Sequence, residues 1–163
     1  MTVRPPMAEP RPVRPPRDWR LVARLSGFHR SIGFSIDPAH SGRGVCTVEG
    51  RVRPRHLNIN RVVHGGVYAT ILDTAMGGAV VTTLAPEETT ATTSLYIEFI
   101  RPAEAGTHLT GRGEVVRRGR HLAFVRGTLE DDEQRLLGQA HGTWYIWGPQ
   151  DQVWRGHPRR KRV

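Results

Sequence analysis

His64-Gly65-Gly66-Val67-Tyr68-Ala69-Thr70-Ile71-Leu72-Asp73 sets one carboxylate inside a segment otherwise too apolar to face water; from Gly65 to Pro86 Asp73 is the only charged side chain. Such a carboxylate must be paired, hydrogen-bonded or used in chemistry, because stripping its water otherwise forces it to protonate. Asp73 is therefore the first candidate for chemistry. Two glycines directly before a helix let backbone N–H groups approach a ligand, and a helix N-terminus favours negative charge. Those N–H groups suit an oxyanion. On a helical wheel Asp73 shares its face with Gly66, Ala69, Thr70 and Gly77, and at its edge with Met76 and Val80. Val67, Ile71, Ala75 and Ala79 lie opposite and are expected to pack the core. The alternative at this point is that Asp73 is a solvated residue on an ordinary amphipathic helix.

Working outward, Val45 to Val52 alternates Cys46, Val48 and Val52 against Thr47, Glu49 and Arg51, as a half-buried strand requires, and Pro54 ends it. Before it, Asp18 to Leu25 reads as a short helix and Phe28 to Ile36 as an irregular segment packed on the domain. The loop Arg55 to Val63 leads into a helix from His64 to about Leu84, closed by Pro86. Four alternating runs follow, near 91–100, 107–117, 121–130 and 135–147. Arg118-Gly119-Arg120 and Asp131-Asp132 are connections too short for parallel crossovers, so these strands are antiparallel. The expected fold class is α+β, a sheet wrapped around one long helix.

At 163 residues and 37% hydrophobic content, one folded domain over 18–150 is expected. The net charge of +9 sits mostly at the ends, +3 in residues 1–20 and +4 in 151–163, leaving +2 between them. That argues against a dedicated nucleic-acid face and for disordered basic arms over 1–17 and 151–163. No apolar run reaches the roughly 18 residues of a membrane span or forms a secretory signal, so the cytoplasm is expected. The single cysteine, Cys46, excludes an intramolecular disulfide and a cysteine-rich metal site, and its alternating context makes it core filling.

Asn58, His64-Gly65-Gly66, Asp73 and Tyr96-Ile97-Glu98-Phe99-Ile100-Arg101-Pro102-Ala103 together resemble the hotdog-fold acyl-CoA thioesterases of the phenylacetate-pathway (PaaI-like) type, across about residues 28–147. Val115 to Phe124 is similar to that family's central hairpin, and Ala140-His141-Gly142-Thr143-Trp144 to its last strand. The resemblance implies a hotdog fold and hydrolysis of a small, medium-chain or aromatic acyl-CoA. It implies Asp73 as general base or nucleophile, the Gly65 N–H as oxyanion donor, Asn58 orienting water or thioester, and His64 supporting the loop. Thr92 would position the water, with Thr93 and Ser94 as alternatives one or two residues away. Asn58 also has a structural alternative, capping a turn, and Asn60 could fill its part. Gly66 and the hairpin Arg118-Gly119-Arg120 would contact substrate, the arginines meeting the phosphates of coenzyme A. The site would be shared between subunits of a homotetramer built as a dimer of dimers, with no metal and no resident cofactor.

Two other functions compete. A sensor that binds acyl-CoA without hydrolysing it would show binding without turnover. A dehydratase acting on enoyl thioesters wants a histidine paired with an acid on the helix, and no histidine lies between Gly65 and Thr107.

Overall fold

In chain order the polypeptide, described over residues 27–148 by a computed structural model, runs through α1 (Gly27–Ile32), β1 (Ser35–Gly42), β2 (Val45–Arg51), a 3-10 turn (Pro54–His56), α2 (Gly65–Val81), β3 (Thr89–Phe99), β4 (His108–Arg118), β5 (Leu122–Asp131) and β6 (Leu136–Trp147). The arms expected over 1–17 and 151–163, and the helix expected over 18–25, lie outside the described residues. The six strands form one sheet in the order β1-β2-β4-β5-β6-β3, every neighbouring pair antiparallel. This sheet wrapped on one long helix is the hotdog architecture that the sequence led us to expect.

Six strands form rather than five, because Ser35–Gly42, part of it read as irregular, pairs with β2. Its sequence, Ser-Ile-Asp-Pro-Ala-His-Ser-Gly, lacks apolar alternation. An edge strand with one neighbour is held by backbone pairing and tolerates Pro38. Helix α2 stops at Val81 rather than near Leu84, and Thr82, Thr83 and Leu84 turn back through bonds to Gly78, Val80 and Val81.

Tyr68, Ile71, Leu72, Ala75, Met76, Ala79 and Val80 of α2 are buried against the sheet. Met76 and Val80 thus belong to the core rather than to the face of Asp73, whereas Val67 is only half-buried. The helix can lie this close because β4 and β5 carry glycines beneath it. A Cβ on Gly113 would stand 2.4 Å from the Ala75 carbonyl, and one on Gly111 2.4 Å from Ile71. Cys46 is buried under Gly78 of the same helix, and burial pushes its thiol up to about 11. It fills space and carries no thiolate chemistry.

Candidate active site

The loop into α2 is tied down by a buried histidine that the sequence reading passed over. His56 Nδ1 accepts the Arg53 N–H at 3.0 Å and its Nε2 donates to the Ile32 carbonyl at 2.8 Å. Burial holds its pKa below the ordinary imidazole value, so it stays neutral at pH 7 and fixes one tautomer. From His56 the chain makes a closed loop. The Asn58 N–H donates to the Val62 carbonyl and the Arg61 N–H to the Asn58 carbonyl, with Arg61 at φ 61°. The Asn58 side-chain carbonyl accepts the Asn60 N–H at 2.8 Å. Asn58 therefore does cap a turn, and what it has left to offer a ligand is its amide N–H₂.

His64 is the N-cap of α2, its Nδ1 accepting the Gly66 N–H at 2.9 Å. That occupies the Gly66 donor and, in the neutral ring, places the proton on Nε2. The Gly65 N–H, at the first helical position, has no acceptor among the described residues. Beside it opens a cavity of about 270 Å³ lined by Val63, Tyr68, Phe99, Ile100 and Pro102. The Tyr68 hydroxyl donates to the Arg101 carbonyl at 3.2 Å, and burial, aided by the charge of Asp131, pushes its pKa up to about 12. Tyr68 is a neutral wall of that cavity.

Asp73 lies half-buried two turns further along α2, and the Thr92 hydroxyl donates to its Oδ1 at 2.8 Å. A β-bulge makes this bond possible. Thr92 stands opposite Trp144 on β6, but Ser94 stands opposite Thr143, so Thr93 is an extra residue. Unbroken alternation back from Leu95, Ile97 and Phe99 would turn Thr93 toward the helix and Thr92 away from it; the inserted residue reverses the faces. Thr93 and Ser94 bond Thr143 instead, at 2.7 Å each. Of the three hydroxyls weighed in the sequence, Thr92 is the one brought to Asp73.

The hairpin end is partly occupied by internal contacts. Arg118 pairs with Glu88 at 2.5 Å and with the Gly119 carbonyl, and the Gly119 N–H closes the turn on Leu122 at 2.7 Å. Burial raises the pKa of Glu88, but hydrogen bonds from Arg118 and the Ala85 N–H outweigh it and leave the carboxyl below its ordinary value. Arg120 is exposed. Arg118 faces Ala123, Ala123 faces Trp144 and Trp144 faces Thr92, so the hairpin end lies on the same row of the sheet as Thr92. Three strand spacings separate them, about 14 Å. Among the described residues, no three of His, Cys, Asp and Glu gather as a metal site, and no helix is long and apolar enough to cross a membrane.

The chain as a whole is similar to known proteins in sequence and in fold. The sequence profile of the Thioesterase superfamily matches residues 60–137. A Saccharolobus solfataricus protein named as an esterase is 32% identical over 105 residues, 64% of this chain and 69% of that protein. Human acyl-coenzyme A thioesterase 13 is 25% identical over 131 residues, 78% of this chain and 90% of the human protein. The Escherichia coli PaaI protein of the phenylacetic acid degradation operon superposes with a TM-score of 0.72 at 22% identity, covering 79% of this chain and 90% of that one. The chain belongs to the thioesterase superfamily, as an enzyme with the hotdog fold.

Proposed function

We propose that this protein hydrolyses acyl-CoA thioesters with small, medium-chain or aromatic acyl groups, at sites shared between two copies of the chain. The observation that carries the reading is the Thr92-to-Asp73 hydrogen bond on the open face of α2, with an unused N–H at Gly65 on the same helix. Those two groups stand eight residues apart, about 12 Å along the axis. One thioester carbonyl needs base and oxyanion donor within about 3 Å of the reacting atoms. One chain therefore cannot supply both, whereas a two-fold pair can, each helix giving its middle to one site and its start to the other. The 11-residue β3 forms an edge of the sheet with Tyr96 and Phe99 exposed, which supports pairing with a second copy. Two such pairs would make the tetramer.

In this reading Asp73 takes a proton from water as the water oxygen bonds to the thioester carbon. The oxyanion is held by the Gly65 N–H of the other copy, with the Asn58 amide beside it. His64 fixes the start of that helix. Collapse breaks the carbon–sulfur bond, and the thiolate of coenzyme A recovers the proton from Asp73, leaving free acid and CoA. Coenzyme A enters and leaves as part of the substrate, and no resident cofactor is needed. Arg118 lies on the Thr92 row and, with Gly119 and Arg120 of the same turn, would meet the phosphates of coenzyme A. A cytoplasmic location completes the proposal.

Complementation tests the shared site. Asp73→Asn and Asn58→Ala homo-oligomers should each release almost no thiol from acyl-CoA, while a tagged, purified mixed dimer should recover about half the wild-type rate, having one intact site of two. A silent mixed dimer would rule sharing out, and acyl-CoA binding by wild type without turnover would assign the sensor function instead. Thr92→Val should cost about 10- to 100-fold in kcat, the range of one hydrogen bond to a charged group, with stability little changed. Retention of full kcat would remove Thr92 from the site.

A further inference from the structure

Trp144 sits on β6 beneath α2, and its position relative to Asp73 follows from two independent contacts. It stands directly opposite Thr92 in the β3–β6 pairing, on the face where Thr92 bonds Asp73. Its indole also fills the space that Gly77 leaves, one helical turn beyond Asp73: a Cβ on Gly77 would lie 3.2 Å from Trp144 Nε1. The ring as a whole is buried, at 1% exposure. Yet its Nε1–H has no acceptor among the described residues, and that nitrogen is not among the enclosed polar atoms. It therefore opens beside Gly77, on the face that carries the carboxylate. A buried indole N–H normally finds a partner.

We propose that the Trp144 indole N–H, standing in the gap left by Gly77, is the hydrogen-bond donor that holds the attacking water between Asp73 and Thr92. Trp144 makes no direct bond to Asp73 among the described residues, and a water held between them would give both groups a partner. The valences close. That water gives one hydrogen to Asp73 and the other to a Thr92 Oγ1 lone pair, and it accepts the indole hydrogen on one lone pair. Its remaining lone pair is aimed at the thioester carbon. Trp144 is thus a positioning residue, and the assignment rests on the thioesterase reading above.

Trp144→Phe keeps most of the ring and removes only the donor. It should lower kcat about 10-fold, the worth of one hydrogen bond, with KM within about twofold and Tm within a few degrees. Gly77→Ser in the Trp144→Phe background places a hydroxyl in the gap and should recover most of the lost kcat; a purely structural role for Trp144 predicts no such rescue. A second readout needs no turnover. The indole ¹⁵N–¹H resonance lost in Trp144→Phe should shift when wild type binds a non-hydrolysable thioether analogue of an acyl-CoA. Unchanged kcat in Trp144→Phe while Asp73→Asn is inactive, or a loss of kcat that Gly77→Ser does not repair, overturns this proposal alone. A wild type that hydrolyses no acyl-CoA overturns the thioesterase reading and this proposal with it.

Discussion

Asp73→Asn is expected to lower kcat by at least about 10³-fold, within the range contributed by a well-placed general base, while leaving the fold intact. The amide has the shape of the carboxyl and can still accept the Thr92 hydroxyl bond seen at 2.8 Å, so the change removes proton affinity and little else. Stability should hold or rise slightly, since a half-buried charge is replaced by a neutral group. Asp73→Glu separates charge from position. It keeps a carboxylate but moves it by about one bond length, and misplacement of about 1 Å is worth about 100-fold. The measurement is thiol release from a panel of phenylacetyl, benzoyl and medium-chain CoA esters. Full activity in Asp73→Asn would end the assignment of the acid.

The largest effect on stability is expected from Gly113→Val. A Cβ there would stand 2.4 Å from the carbonyl carbon and oxygen of Ala75 and 2.5 Å from the Met76 nitrogen, which are helix backbone and cannot swing aside as a side chain would. The strand and α2 must separate, and with them the layer of Leu72, Ala75 and Met76 that is buried completely. We expect a loss of about 4 kcal/mol or more, against a total stability on the order of 10 kcal/mol, and a Tm lower by more than about 10 °C. Gly42→Ala is the matched control. Nothing lies within 4 Å of a Cβ at Gly42, so its Tm should stay within about 2 °C. A folded Gly113→Val protein with wild-type Tm would mean that the helix does not pack on β4 as described.

Those two positions also mark what the sequence could and could not convey. The helix announced itself by a run with one charge, and β3 to β6 by alternating runs; both patterns follow from burying one face. Strand β1 carried no such pattern, because an edge strand with Pro38 and Asp37 is held by its neighbour's backbone. Met76 and Val80 were placed wrongly for a related reason. A wheel assigns faces by angle, whereas a sheet curling around the helix covers a wider arc. Arg118 was expected to meet the phosphates of coenzyme A, and the structure shows that it also pairs with Glu88, thirty residues earlier. Such a pair is invisible to local reading. The roles of Asp73, Asn58, His64 and Gly65 came from resemblance, and the structure adds how each is tied: Asn58 and His64 spend their acceptors on the loop and the helix start, while the Gly65 N–H stays unused. Trp144 carried no functional signal in the sequence, since only the missing side chain at Gly77 reveals its open nitrogen.

Thr92 and Thr93 occupy between them a single place opposite β6. Deleting either residue would remove the bulge, keep Ser94 opposite Thr143 and leave a threonine facing Trp144. At this point the polypeptide can shorten by one residue and still hand a hydroxyl to its acid. Length variation among descendants of this gene is therefore better tolerated here than replacement of both threonines by residues without a hydroxyl.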